Sequence, residues 1–341
     1  MKKKILVTGG AGYVGSSLVT ELAKTGNTIK CLDRFFFGDE YPEWDNYKDK
    51  IELIKDDIRW FEPDILKDVE VVIDLAALSN DPTGELNPSK TYDINFLGRS
   101  RVARLSKLFG VKQYILASSG SAYGLNTHEV VNEDSPLFPL TTYAKANRMA
   151  EIDNLLLNDE NFSVTVLRFA SIYGVSQRMR FDIAVNNMTK DLFKTGKITV
   201  TGDGKQWRPF LHIKDAVESY KLVMNAKREK ITGEIFNVGS DDQNHELLQV
   251  ARKVGDSLGK KYEIIHTETH DKRFYVVSFK KIKEVLGFNP TYSIEDGAQE
   301  VYQALETGKI SDSLKTITIE WYKHLQKSQP ADVVRFNNRI L

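Results

Sequence analysis

The sequence has one cysteine, Cys31, so no disulfide forms within the chain; its place in an apolar run reads as a buried core thiol. It has no surplus of either charge. Lys plus Arg and Asp plus Glu both number 47, which removes the electrostatic case for a nucleic acid or an anionic membrane as partner. No apolar run approaches a membrane span of roughly 20 residues. The basic start MKKK opens like an export signal, but its apolar stretch, ILV, stops before a signal core is built, so the expected location is the cytoplasm. Repeats and low-complexity tracts are missing too. HTETH at 266–270 holds two histidines and a glutamate, yet the segment reads as extended and no further ligand cluster accompanies it, so no metal is expected. What remains, 41% hydrophobic and 28% charged over 341 residues, suits an ordinary globular enzyme of two lobes, or of one large sheet with a cap.

Residues 5–15 read ILVTGGAGYVG, a short apolar run that breaks into glycines at Gly9, Gly12 and Gly15. This is the pattern of a dinucleotide-binding turn: missing side chains let backbone N–H groups and a helix N-terminus approach a pyrophosphate. The run IKCLD follows and ends in Asp33. A carboxylate about 20 residues after the turn accepts hydrogen bonds from the adenosine ribose and repels a 2′-phosphate, which favours NAD over NADP. Arg34 beside it softens that preference.

Through the first half, ILVTG, IKCLD, IELIKDD, VVIDLAA, YILASS and VTVLRFA alternate with helix-like stretches such as Ser16 to Lys24 and Asn95 to Phe109. That rhythm predicts an α/β fold, a Rossmann-type doubly wound parallel sheet covered on both faces. After Gly174 amphipathic segments near Phe181 to Lys194 and His245 to Leu258 mix with isolated short strands, predicting a smaller C-terminal substrate-binding lobe. The expected division is an NAD-binding domain at 1–175 with returns near 207–240 (Trp207 to Ala226, then Glu234 to Gly239), a substrate lobe at 176–206 and 241–325, and a loosely packed tail at 326–341.

LASSGSAYG at 116–124 is a serine-rich strand end, and Tyr143 follows about twenty residues later at a helix start. Oxidation of an alcohol needs such a pair: a phenolate takes the hydroxyl proton as the carbon loses hydride, and a second hydroxyl holds the same oxygen. Free tyrosine titrates near pH 10, so its anion needs positive charge nearby. At this point the chain resembles the extended short-chain dehydrogenases, and among them the nucleotide-sugar epimerases, dehydratases and 4-dehydrogenases, over nearly its whole length. The resemblance implies a cofactor turn at GGAGYVG with Tyr13 and Val14, and a ribose acid at Asp33 next to Arg34. It further implies an adenine contact at DDI with Asp57 and Ile58, cofactor-lining Leu75, Ala76 and Ala77, and a brace at Asn95. Ser119 then matches the hydroxyl beside the reacting sugar oxygen, and Tyr143 the catalytic tyrosine. RPFLHIKDA and DKRFYVVS resemble segments whose arginines, here Arg208 and Arg273, grip nucleotide phosphates. The segment SQRMRFDIAVNN, with Arg178, Arg180 and Asn187, is similar to a subgroup that includes GDP-heptose 4-dehydrogenases and points to further substrate contacts. A homodimer through the helices near 95–109 and 143–157 is implied as well.

Two departures stand out. The family's tyrosine motif has lysine four residues after the tyrosine, where YAKANRMAE has Asn147. Four helical residues return to within about 40° of the same face, whereas Lys145 and Arg148 point elsewhere. Asn147 can hold the nicotinamide ribose but brings no charge. A slower enzyme, one working at higher pH, or one whose cation comes from elsewhere is therefore expected. Second, the 4,6-dehydratases follow the active hydroxyl with an acid pair, and here Gly120 and Ser121 follow Ser119, which disfavours dehydration. What remains is an epimerase or 4-dehydrogenase oxidising a sugar carbon, C4 above all. The competing reading is a binding protein that kept the fold and lost catalysis with the lysine.

Overall fold

The computed structural model describes residues 2–125, 130–268 and 275–328, and the backbone of two short strands at 335–336 and 339–340. Seven parallel strands form its main sheet. They are β1 (Lys4–Thr8), β2 (Thr28–Asp33), β3 (Ile51–Lys55), β4 (Val71–Asp74), β5 (Gln113–Ser119), β6 (Ser163–Phe169) and the edge strand Ile235–Val238. From that edge the order runs Ile235–Val238, β6, β5, β4, β1, β2, β3. The direction of winding therefore reverses between β1 and β4, which opens a crevice at the strands' carboxyl ends.

Alternation along the strands explains why both faces are covered. Ile5 and Val7 belong to one apolar cluster with Leu18, Val19 and Leu22 of the helix Tyr13–Lys24, whereas Leu6 belongs to another with Val102, Ala103 and Ala150. Ile73 and Ile115 repeat the first assignment; Val72, Tyr114 and Leu116 repeat the second. Side chains of period two thus feed two cores from one sheet.

Beyond β6 the helices Ala184–Thr195, Leu247–Ser257 and Ile294–Glu306 build a separate apolar cluster against the strands Lys197–Thr201 and Glu263–Thr267. The segment 207–240 divides. Trp207–His212 pairs with Ser171–Tyr173 and Asn244–Glu246 in a small three-stranded sheet, while Ile235–Val238 joins the main sheet and Tyr220, from the helix Ile213–Asn225 between them, packs on Phe169 of β6.

Three expectations are corrected. The first helix begins at Tyr13 rather than Ser16, because Gly12 already takes the N-cap position. The stretch from Asn95 is not one α-helix: Asp93–Gly98 is π-helical and the α-helix proper is Arg99–Leu108. The expected loose tail from Gln326 is also shifted, since the helix Thr318–Ser328 runs past it and Trp321 Nε1 donates to the Phe36 carbonyl at 2.8 Å. Among the described residues no helix is long and apolar enough to cross a membrane.

Candidate active site

A cavity of about 390 Å³ lies at the carboxyl ends of β1, β2, β4, β5 and β6. Gly9 follows β1 with φ +65°, and a Cβ there would stand 2.8 Å from Ala76 Cα, so the turn closes against β4 only without a side chain. A Cβ on Gly15 would meet the Gly9 carbonyl oxygen at 2.3 Å. No side chain caps the helix Tyr13–Lys24, which leaves its first amides for an anion.

Asp33 ends β2, its carboxylate accepting from the amides of Ala11 (3.0 Å) and Phe35 (2.8 Å); burial pushes its pKa up, against those hydrogen bonds. Arg34, expected to soften the cofactor preference, donates to Asp57 at 2.9 Å. Asp57 also takes the Arg59 guanidinium at 2.9 and 2.8 Å and the Arg59 amide at 3.0 Å. Its carboxylate sites are thereby filled from within, so the expected adenine contact by this side chain has no acceptor to spare. Ile58, Leu75, Ala76, Ala77, Tyr13 and Val14 all line the cavity. Asn95 does not: it is fully buried and its amide holds the backbone of Leu78 in both directions, 2.8 and 3.1 Å.

Ser119 closes β5 and its hydroxyl accepts from the Ser121 amide at 3.1 Å. Tyr143 stands in the first turn of the helix Thr142–Leu155, capped by the Thr141 hydroxyl on the Ala144 amide, and lines the cavity together with Ser119. Burial raises the Tyr143 pKa, Asp81 raises it further, and Arg99, the Ser119 hydrogen bond and Arg180 pull the other way; the net direction is upward. Asn147 is buried with its amide engaged, Oδ1 accepting from Arg99 Nη1 (2.8 Å) and Nδ2 donating to the Tyr143 carbonyl (2.9 Å).

The expected substrate residues scatter. Arg180 lines the cavity, held by Asp182 at 2.8 and 3.1 Å and by the Ser79 carbonyl. Arg178 lines it too, but at the cofactor end: its guanidinium lies 3.7 Å from the Phe37 ring centre, near Asp33, and donates to Thr318 at 3.0 Å. Its buried Nε has no partner among the described residues. Asn187 is not among the cavity-lining residues and bonds Asp191 and Lys190 on its own helix. Arg208 is likewise off the cavity, over the Tyr275 ring at 5.2 Å, and Arg273 and His270 lie outside the described residues. Among the described residues no group of three metal-type ligands gathers.

Sequence reasoning missed a second wall. Phe36, Phe37 and Tyr322 line the cavity, with Tyr322 edge-on to both phenylalanines at 6.0 and 5.6 Å. Tyr322 stands 289 positions from Asp33 in the chain and belongs to no motif. Arg99 was missed as well, although a signal existed: Arg99, Val102, Ala103 and Ser106 follow the spacing of one inward helix face.

The family model of the NAD dependent epimerase/dehydratase family matches residues 5–239. The chain belongs to that family. Its relatives include the UDP-N-acetyl-alpha-D-glucosaminuronate decarboxylase of Bacillus cytotoxicus, 29% identical over 322 residues, covering 89% of this chain and 98% of the relative. The UDP-glucose 4-epimerase of Lactobacillus helveticus is 27% identical over 315 residues, with coverages of 86% and 94%. Among solved structures, MoeE5 in complex with UDP-glucuronic acid and NAD superimposes with a TM-score of 0.79 at 25% identity, covering 89% of this chain and 99% of that one. The cofactor is NAD. The uncapped helix and the glycine cradle against Ala76 fit a dinucleotide's pyrophosphate.

Proposed function

We propose that this protein oxidises a sugar carbon, C4, of a nucleotide-linked sugar, as an epimerase or a 4-dehydrogenase. The observation that supports this most directly is the Ser119–Tyr143 pair, set on the wall of the cavity that also contains the dinucleotide cradle. NAD, when bound, takes the hydrogen and electron pair from the sugar carbon, and its oxidised ring is positively charged. Tyr143 accepts the proton of the sugar hydroxyl, and Ser119 holds that oxygen in place. Gly9, Gly12, Gly15 and Asp33 hold the dinucleotide, and Arg178 on the cavity wall adds a positive charge for a phosphate. Arg180, Thr83, Asn87 and Lys90, which line the same cavity, contact the sugar in this reading. Residues 176–206 and 241–325 serve as the substrate-binding lobe. Gly120 and Ser121 give no acid and base for expelling water, which argues against dehydration.

The test is a panel of UDP-, GDP-, CDP- and dTDP-sugars, read by the absorbance of reduced nicotinamide and by analysis of the product sugars. A keto sugar with reduced cofactor identifies a dehydrogenase; an inverted sugar identifies an epimerase. Carbon dioxide from a uronic acid would reassign the chain to decarboxylation, and binding without product would overturn the enzymatic reading.

Two smaller predictions arise here. Tyr322→Ala removes the aromatic wall beside Phe36 and Phe37, and NAD affinity falls roughly 3–10-fold, measured by calorimetric titration of apoprotein. The second concerns assembly. Leu108 (77% exposed), Ile152 (48%) and Leu156 (79%) present apolar surface on the helices Arg99–Leu108 and Thr142–Leu155 and just beyond. We read this as a homodimer face. Light scattering finds a dimer for the native chain and a monomer for Ile152→Glu.

A further inference from the structure

We propose that Arg99 is the cation that serves Tyr143 in place of the family's motif lysine, with Asn147 as the neutral anchor that holds it there. The proposal rests on the reading of Tyr143 as the base. Its ground is the geometry of three side chains on adjoining helices. Asn147 sits one turn after Tyr143 on the same helical face, and its Oδ1 accepts from Arg99 Nη1 at 2.8 Å. Its Nδ2 is returned to the Tyr143 carbonyl at 2.9 Å, which leaves the amide oriented with its oxygen toward the guanidinium. A lysine at 147 would place an ammonium against that guanidinium, so asparagine at 147 and arginine at 99 form one compatible set. Arginine suits the position because its charge survives burial better than lysine's.

Arg99 is 1% exposed and held from three sides. Nη2 donates to the carbonyls of Asp74 (2.9 Å) and Ala117 (2.5 Å), and Nε lies 3.3 Å from the Asp74 carboxylate. That carboxylate is shared with the Thr8 hydroxyl at 2.5 Å and the Tyr114 phenol. Arg99, Ala117, Ser119, Tyr143 and Asn147 all line one cavity. The charged groups that face Tyr143 come from separate elements: Asp81 from the short helix Asp81–Gly84, Arg180 from the loop before Ala184–Thr195, and Arg99. The Ser119 hydroxyl and the neighbouring Tyr220 phenol complete the surroundings. Both cations are ion-paired, Arg180 by its fork onto Asp182 and Arg99 through Nε with Asp74 at 3.3 Å, but Asp74 is shared with the Thr8 and Tyr114 hydroxyls and Arg99 keeps Nη1 for the neutral amide of Asn147 on the Tyr143 helix.

The decisive measurement is the titration of Tyr143 itself in the NAD-loaded protein without substrate, by nuclear magnetic resonance of tyrosine labelled at Cζ. The signal is assigned by its loss in Tyr143→Phe. Arg99→Gln keeps hydrogen-bonding groups but removes the charge, and the Tyr143 midpoint rises by about one pH unit or more. Arg99→Lys leaves it near the native value. Asn147→Lys in the Arg99→Gln background brings it back down, whereas Asn147→Lys alone lowers the melting temperature without lowering the midpoint. With substrate, the alkaline shift of Arg99→Gln appears in kcat with KM little changed. An unmoved midpoint in folded, NAD-loaded Arg99→Gln overturns the proposal and makes Arg99 a structural ion-pair partner. Should Arg99→Gln not fold, the double variant decides: folded with a native midpoint it supports the exchange, and unfolded or with a raised midpoint it refutes it. The titration needs no turnover, so an error in the proposed reaction would show separately, as activity surviving in Tyr143→Phe.

Discussion

Tyr143→Phe lowers kcat by about 10²–10⁴-fold and leaves NAD bound. The phenol's oxygen is its only polar atom, so the substitution removes proton transfer and little else. The ring keeps its contact with Gly84, where a Cβ would stand 3.0 Å from Tyr143 Cβ, and the helix keeps its Thr141 cap. The cofactor cradle at Gly9, Gly15 and Asp33 belongs to other strands. Ser119→Ala falls less far, because it removes a hydrogen bond to the same oxygen but not the base. Rates with a saturating nucleotide-sugar, alongside retention of NAD through gel filtration, check both. A Tyr143→Phe protein at native speed would remove the base from the reaction and with it the proposed chemistry.

The direction of the Tyr143 titration adds to this. Burial and Asp81 raise its pKa, and Arg99, Ser119 and Arg180 offset this only in part. The base is the deprotonated form, so activity rises with pH until the phenol has ionised. The positive charge of oxidised NAD acts in the same sense as Arg99, and the pH profile reports the joint effect of both cations.

What was legible in the sequence followed from local rules. Short apolar runs between helix-like stretches placed the six early strands, and the glycine spacing located the turn, because both depend on neighbours a few residues apart. The position of Ser119 and Tyr143 on the cavity wall was legible because β5 ends, and the helix after it begins, at the crevice. What escaped depends on partners distant in the chain. Tyr322 reaches Phe36 and Phe37 from the far end, and nothing near it in sequence signals the contact. Arg34 and Asp57 line the cavity as expected, but that their charges are paired with each other and with Arg59 was not legible. Arg178 was expected at a phosphate or an acidic sugar group; it lines the cavity beside Phe37 and Asp33, a position that the motif of a loop does not reveal. The missing lysine was visible at once; its replacement was visible only when Arg99 was found against Asn147.

Glu151→Leu destabilises the fold by about 3–5 kcal/mol, a fall in melting temperature of roughly 5–10 °C. The side chain is fully buried two turns beyond Tyr143, and its carboxylate receives Arg168 Nε at 2.9 Å and Nη2 at 2.8 Å, the Ser118 hydroxyl at 2.5 Å and Arg148 at 3.1 Å. Removing it leaves the Arg168 guanidinium buried with the Tyr123 hydroxyl, 3.2 Å from Nη1, and the Tyr123 ring. Burial by itself would raise the Glu151 pKa, but Arg168, Ser118 and Arg148 together hold it below the ordinary 4.5. A depressed acid contributes stability that is complete above its unfolded pKa and is lost as pH falls through the folded value. The gap in melting temperature between native protein and Glu151→Leu is therefore widest at neutral pH and narrows as pH falls below 4.5. Arg168→Met added to Glu151→Leu recovers much of the loss, since an apolar pair of similar volume replaces two charges. Activity separates the roles further. Ser118 precedes Ser119 on β5, and Glu151 ties that strand end to the helix carrying Tyr143, so the double variant is stable but catalytically slower. Equal stability and equal rate in the double variant would show that the Ser119–Tyr143 geometry holds without this tie.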